Sequence, residues 1–136
     1  MLSKDEITRY HQDGYILAKD VVSPEQLSKL QDMTYQLIED SRTVSESNNI
    51  FDLDEGHSKD SPRLNRIKLP HKLDPYFWDI LEQSKITSVI KSLLGENIQL
   101  QTSKLNTKPP GGGSSVEWHQ DLAFYPLTND SVLAVG

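Results

Sequence analysis

Apolar positions along this chain follow two rhythms. Through the first hundred residues they mostly recur every three or four positions, the period of a helix buried along one side; beyond that they alternate. Ser3 with Glu6 three residues on has the form of a capping box, Ile7 and Tyr10 give a narrow apolar stripe, and Gly14 ends the helix. Tyr15, Ile16, Leu17 and Ala18 read as a short strand, continued loosely to Val21 and Val22. Ser23, Pro24 and Gln26 form a second helix start, with Ser at the cap and Pro at the first helical position. Leu27, Leu30, Met33, Leu37 and Ile38 carry that helix to about Asp40. Residues 41–62 are polar, acidic and rich in Ser, Asn and Asp, which predicts a loop, mostly mobile. A basic stretch follows at 63–73. Asp74 and Pro75 open a short helix with Tyr76, Phe77, Ile80 and Leu81 on it. Ile86, Val89, Ile90, Leu93 and Leu94 form another stripe, closed by Gly95 where a left-handed cap needs no Cβ. Alternation over 98–108 predicts a strand, Pro109, Pro110 and the glycines 111–113 a turn, and 116–124 a second strand. A turn over 126–130 and a third strand from Ser131 complete the chain. Helices first and strands last is the order of an α+β fold.

Composition narrows the function classes. At 136 residues the chain allows one domain, 1–136. Its apolar share of 35% plus seven glycines falls below the ~45–50% of average domains. A net charge of −6 argues against nucleic acid as a partner. Without cysteine there is no disulfide scaffold, thiol nucleophile, iron–sulfur cluster or thiolate zinc site. No apolar run reaches the ~20 residues of a membrane span, and the charged N-terminus has no signal-peptide core, so the expected location is the cytoplasm. The final apolar run, DSVLAVG, has no closing element and would leave a sheet edge unpaired. Together with the lean core, it points to a fold truncated at its C-terminal side.

The segment that carries chemistry is Glu117, Trp118, His119, Gln120 and Asp121. On a strand, residues two apart share a face, so His119 and Asp121 aim together while Trp118 and Gln120 turn away. An imidazole beside a carboxylate suits a divalent metal of intermediate hardness; two histidines and one carboxylate leave positions open on iron(II). A simple hydrogen-bonded His–Asp pair is the alternative. On the strand before the turn, the alternation places Lys104 with Ile98, Leu100, Thr102 and Asn106. A lysine on an inner face needs an anion to meet it, unless it snorkels to solvent. His11, His57 and His71 read as surface or capping residues, and Tyr76, Phe77 and Trp78 as helix packing. The acidic run at 52–57 lacks the spacing of a calcium loop. No G-x-S-x-G is present, and the glycine turn precedes a strand, so it is not a phosphate loop.

The run from Lys104 through Pro109 and Pro110, the glycine turn, then Trp118, His119, Gln120, Asp121 and Leu122 with Tyr125 and Pro126 resembles the phytanoyl-CoA dioxygenase family. The opening from Tyr10 through Gly14 and Tyr15 to Leu27, and the helix end at Leu93, Leu94 and Gly95, are similar to it too. The resemblance implies a non-haem iron(II), 2-oxoglutarate-dependent dioxygenase that uses O2, hydroxylates a small organic substrate and forms succinate and CO₂. It also implies N-terminal helices packed on the first half of a double-stranded β-helix of jelly-roll or cupin type. His119 and Asp121 match two iron ligands, and Lys104 a contact to 2-oxoglutarate. Gln120 lies between the ligands, and Arg66 or Lys68 falls where some members place a basic cosubstrate contact. The family's second metal histidine and its 2-oxoglutarate arginine lie downstream of Gly136, so the chain alone is expected to be inactive. Two alternatives are a non-catalytic binding module and a cupin-like metal-binding barrel that does not use 2-oxoglutarate.

Overall fold

Two reciprocal caps start the N-terminal helices. In α1 (Lys4–Asp13) the Glu6 N–H donates to Ser3 Oγ at 3.3 Å and the Ser3 N–H donates to Glu6 Oε2 at 2.7 Å. In α2 (Pro24–Asp40) Ser23 and Gln26 repeat the exchange at 3.2 and 2.9 Å. Each box satisfies helix-end donors that otherwise lack partners. Gly14 ends α1 at φ 79°, the left-handed conformation foreseen for it. The computed structural model describes residues 1–111, 115–125, 127–129 and 131–136. Gly112 and Gly113 of the first predicted turn, and Pro126 and Asp130 of the second, lie outside them.

After α2 come β1 (Phe51–Leu53), β2 (Leu64–Lys68), α3 (Pro75–Gln83), α4 (Ile86–Leu94) and β3 (Lys104–Asn106), with 3-10 turns at Ser41–Thr43, Pro70–Lys72 and Asp121–Phe124. The strands form one antiparallel sheet in the order β1-β2-β3. Helices with a small antiparallel sheet make the fold α+β. No helix among the described residues is long and apolar enough to cross a membrane.

Gly95 caps α4 at φ 95°, ψ 178°, an extended mirror conformation open to glycine rather than the left-handed helical one expected. The strands expected at 15–18, 98–103, 116–124 and from 131 are not strands in the structure. A strand exists where its backbone groups find a neighbour, and alternation alone supplies none.

The predicted loop at 41–62 is substantially built. It contains β1, whose Phe51 is buried, and a knot centred on the half-buried His57. His57 Nε2 meets the carbonyls of Ser41 at 3.2 Å and Val44 at 3.1 Å, which only accept, so it carries a proton, while Nδ1 lies against the Arg63 backbone, 3.0 Å from its N–H nitrogen and 2.9 Å from its carbonyl. Polar side chains thereby replace the missing apolar signal, which is why composition suggested a loop.

The core lies on one face of the sheet. Phe51, Ile67 and Leu105 stand directly across from one another, and Ile67 is fully enclosed. Leu37 and Ile38 of α2 pack against this cluster with Val44, Ile50 and Leu73. A β-bulge shifts the register so that Asp52 faces Arg66 but Leu53 faces Leu64, skipping Asn65. Leu64 consequently joins Ile67 in the core, 2% exposed, although simple alternation would put it beside Arg66 and Lys68.

Candidate active site

The opposite sheet face is polar. Asp52, Arg66 and Asn106 are mutually in register, and Lys68 stands directly across from Lys104. Arg66 Nε donates to Asn106 Oδ1 at 3.4 Å, and Lys68 Nζ donates to the Asn48 carbonyl at 2.8 Å. Lys104 is exposed, on the side away from Leu105. The expected grouping of Lys104 with Ile98, Leu100 and Thr102 is therefore corrected: those residues precede β3, and the pleat that fixes faces begins only at Lys104. What surrounds Lys104 is a second lysine and an asparagine, not an apolar wall.

The chain leaving β3 is tied to the sheet. The Thr107 N–H donates to the Asn65 carbonyl at 3.0 Å and Thr107 Oγ1 donates to that of Leu64 at 2.7 Å. The Arg63 guanidinium, paired with the buried Asp54 at 3.0 Å, reaches the Pro110 carbonyl at 3.5 Å.

His119 and Asp121 come together without a strand. Residues 115–120 are irregular, and Asp121 opens a 3-10 turn whose Ala123 N–H donates to the Gln120 carbonyl. His119 Nδ1 lies 2.7 Å from the Glu117 carbonyl, which can only accept, so Nδ1 carries the proton. In the neutral ring Nε2 is then bare, and it faces Asp121 Oδ1 at 3.1 Å. Two acceptors so placed repel unless a cation, a proton or a metal ion, sits between them. Two donors at right angles about one ion, each ~2.1 Å from it, are about 3 Å apart, so the pair fits a metal. A backbone carbonyl fixing the tautomer is the usual support of a metal-binding histidine. Among the described residues no third His, Cys, Asp or Glu completes a group that could hold the ion. The Phe124 ring meets the His119 imidazole edge-on at 5.8 Å, while Trp118 stands fully exposed and Gln120 is exposed.

Of the residues singled out from sequence, the structure thus joins His119 to Asp121 and sets Arg66 and Lys104 on one sheet face. Gln120 contributes its backbone to the turn. The Glu117 carbonyl and the Asn48 tether of Lys68 were missed, because backbone acceptors carry no residue-type signal.

His71 lies at the end of this sheet, with Nδ1 2.6 Å from Ser103 Oγ and its ring 6.2 Å from that of Trp78. Burial, and secondarily the Lys72 charge, lower its pKa below the ordinary 6.5. The unfolded chain therefore binds a proton more readily, and stability contributed by neutral His71 is present above pH 6.5 and lost as pH falls below it. Thermal melts between pH 7.5 and 5 should show a decline in Tm that His71→Gln reduces; an unchanged slope would refute the assignment.

The sequence matches the Phytanoyl-CoA dioxygenase (PhyH) family over residues 10–136. It is 33% identical over 127 residues to a probable alpha-ketoglutarate-dependent hypophosphite dioxygenase of Stutzerimonas stutzeri, covering 93% of this chain and 44% of that protein. Ectoine dioxygenases of Sphingopyxis alaskensis and Nocardia farcinica are 25% and 23% identical, over 89% and 87% of this chain and 38% of each relative. The chain thus spans less than half the length of these curated relatives. No solved structure matches it.

Proposed function

Because the chain belongs to the phytanoyl-CoA dioxygenase family, we propose that it supplies the first two metal ligands and part of the cosubstrate site of an iron(II)- and 2-oxoglutarate-dependent dioxygenase. The observation that carries this reading is His119 Nε2 facing Asp121 Oδ1 at 3.1 Å while Nδ1 lies 2.7 Å from the Glu117 carbonyl. Such a pair offers one neutral nitrogen and one anionic oxygen, the donor mix that suits iron(II). Iron bound there would supply oxygen activation coupled to decarboxylation of 2-oxoglutarate.

The chain's own residues bind and orient. The exposed Lys104 ammonium, in no ion pair among the described residues, would take a cosubstrate carboxylate by charge-assisted hydrogen bonds. Arg66 stands within the same face, and Gln120 sets the turn that brings Asp121 back toward His119. In this reading the sheet is the opening of a double-stranded β-helix, and its polar face lines the interior. The reading also calls for a third metal donor, which no His, Cys, Asp or Glu among the described residues supplies beside this pair, and for an arginine to meet the far carboxylate. The substrate class we propose is a small phosphorus oxyanion, supported by the hypophosphite for which one relative is named.

The test is succinate formation from 2-oxoglutarate by the full-length protein containing this chain, with iron(II) and hypophosphite. Lys104→Met should raise the KM for 2-oxoglutarate about 10–100-fold, the worth of a hydrogen bond to a charged group, with iron content unchanged. Absence of succinate would favour a non-catalytic binding module; normal 2-oxoglutarate binding by the variant would return Lys104 to the surface.

A further inference from the structure

The polar sheet face carries more positive charge than one cosubstrate contact uses. Lys68 stands directly across from Lys104, where β-carbons of opposed residues are about 4.5–5.5 Å apart and like charges destabilise the pair. Arg66 shares the face two residues along β2, about 6.6 Å from Lys68. No ion pair among the described residues involves Arg66, Lys68, Lys104 or Asp52. Asp52, across from Arg66, is the one carboxylate in register with them, so in a chain whose net charge is −6 this face keeps a local positive excess that an external anion would answer.

Lys68 is also held in place. Its ammonium donates to the Asn48 carbonyl at 2.8 Å, and Asn48 is itself fixed, its Oδ1 accepting from the N–H groups of Ile50 and Phe51 at 2.8 Å each. A lysine merely escaping to water would not need such a tether. Among the described residues two N–H donors of the ammonium meet no partner, nor do the terminal nitrogens of Arg66, whose Nε is spent on Asn106.

We propose that Lys68 and Arg66 form a second anion subsite beside Lys104, one that takes the phosphorus oxyanion as substrate while Lys104 serves the cosubstrate. This rests on the dioxygenase reading for the role of Lys104 and assigns residues to the substrate. A compact tetrahedral oxyanion presents acceptors on adjacent corners, so one oxygen can meet the ammonium and another the guanidinium. A neutral ligand cannot answer both charges.

The proposal is tested by titrating the 136-residue chain, without metal, with hypophosphite, 2-oxoglutarate and sulfate in turn, following amide resonances and heats of binding. Hypophosphite should shift the amides of Arg66 and Lys68. Lys68→Met should weaken it about 10–100-fold while changing 2-oxoglutarate affinity less than about twofold. Lys68→Arg should restore binding, and Arg66→Gln, at a half-exposed position, should lose a similar factor with an unchanged melting temperature. Equal hypophosphite affinity in Lys68→Met and the parent chain would overturn the proposal. So would a single site from which hypophosphite and 2-oxoglutarate are lost together in Lys104→Met, or sulfate binding as tightly as hypophosphite. Failure of the dioxygenase reading registers elsewhere, as absent succinate in the full-length protein, so the two can fail separately.

Discussion

His119→Ala or Asp121→Ala, introduced into the full-length protein, will abolish turnover by emptying the metal site and leave the fold intact. Loss of a residue that merely supports a ligand costs about 10–100-fold in metal affinity, so loss of a ligand itself should exceed about 100-fold. Both side chains are exposed, and exposed substitutions usually change stability by no more than about 0.5 kcal/mol. Metal content after dialysis and cobalt(II) absorption read the first effect; thermal melts read the second. Asp121→Asn separates charge from shape, since the amide can still face the imidazole but cannot replace an anionic ligand. A variant that holds metal at parental occupancy would refute the assignment.

Ile67→Ala will have the largest effect on the fold. Ile67 is fully buried between Phe51 and Leu105, and truncating such a side chain costs about 2–5 kcal/mol. Against a typical stability of about 5–15 kcal/mol that is a large share, and this chain has few enclosed apolar residues to spare. Urea unfolding should show a lower midpoint with the slope unchanged. Trp118→Ala, which removes a larger but fully exposed side chain, should leave the midpoint where it was.

Helices were legible because their signals are local. Ser3, Glu6, Ser23 and Gln26 cap within a single turn of chain, and the structure shows each of those bonds. The sheet was less legible because pairing is not local. Alternation at 98–108 was real but only Lys104–Asn106 found a neighbour, and β1 was hidden inside a stretch whose composition reads as loop. The juxtaposition of His119 and Asp121 was foreseen for a pleat and is achieved by a turn, a coincidence of i and i+2 geometry that the sequence could not distinguish. The apolar neighbours expected beside Lys104 were misjudged for the same reason, since face assignments carry over only along continuous strand.

The bulge at Asn65 has a meaning in the arithmetic of insertions and deletions. Five residues of β2 perform two tasks that a regular pleat would set against each other: Leu64 and Ile67 fill the core, and Arg66 and Lys68 present charge on the other side. One surplus residue changes the phase between those tasks. Straightening the bulge with Asn65 retained would turn Leu64 to the side of the cations, whereas deleting Asn65 would leave Leu64, Arg66, Ile67 and Lys68 in strict alternation, with both faces preserved. The bulge therefore acts as slack in the strand: a lineage could shed Asn65, forgoing its bonds to the Leu53 carbonyl and the Thr107 N–H, and keep both faces, while a residue lost between Leu64 and Lys68 anywhere else would set the core and the charges against each other unless the bulge were lost with it.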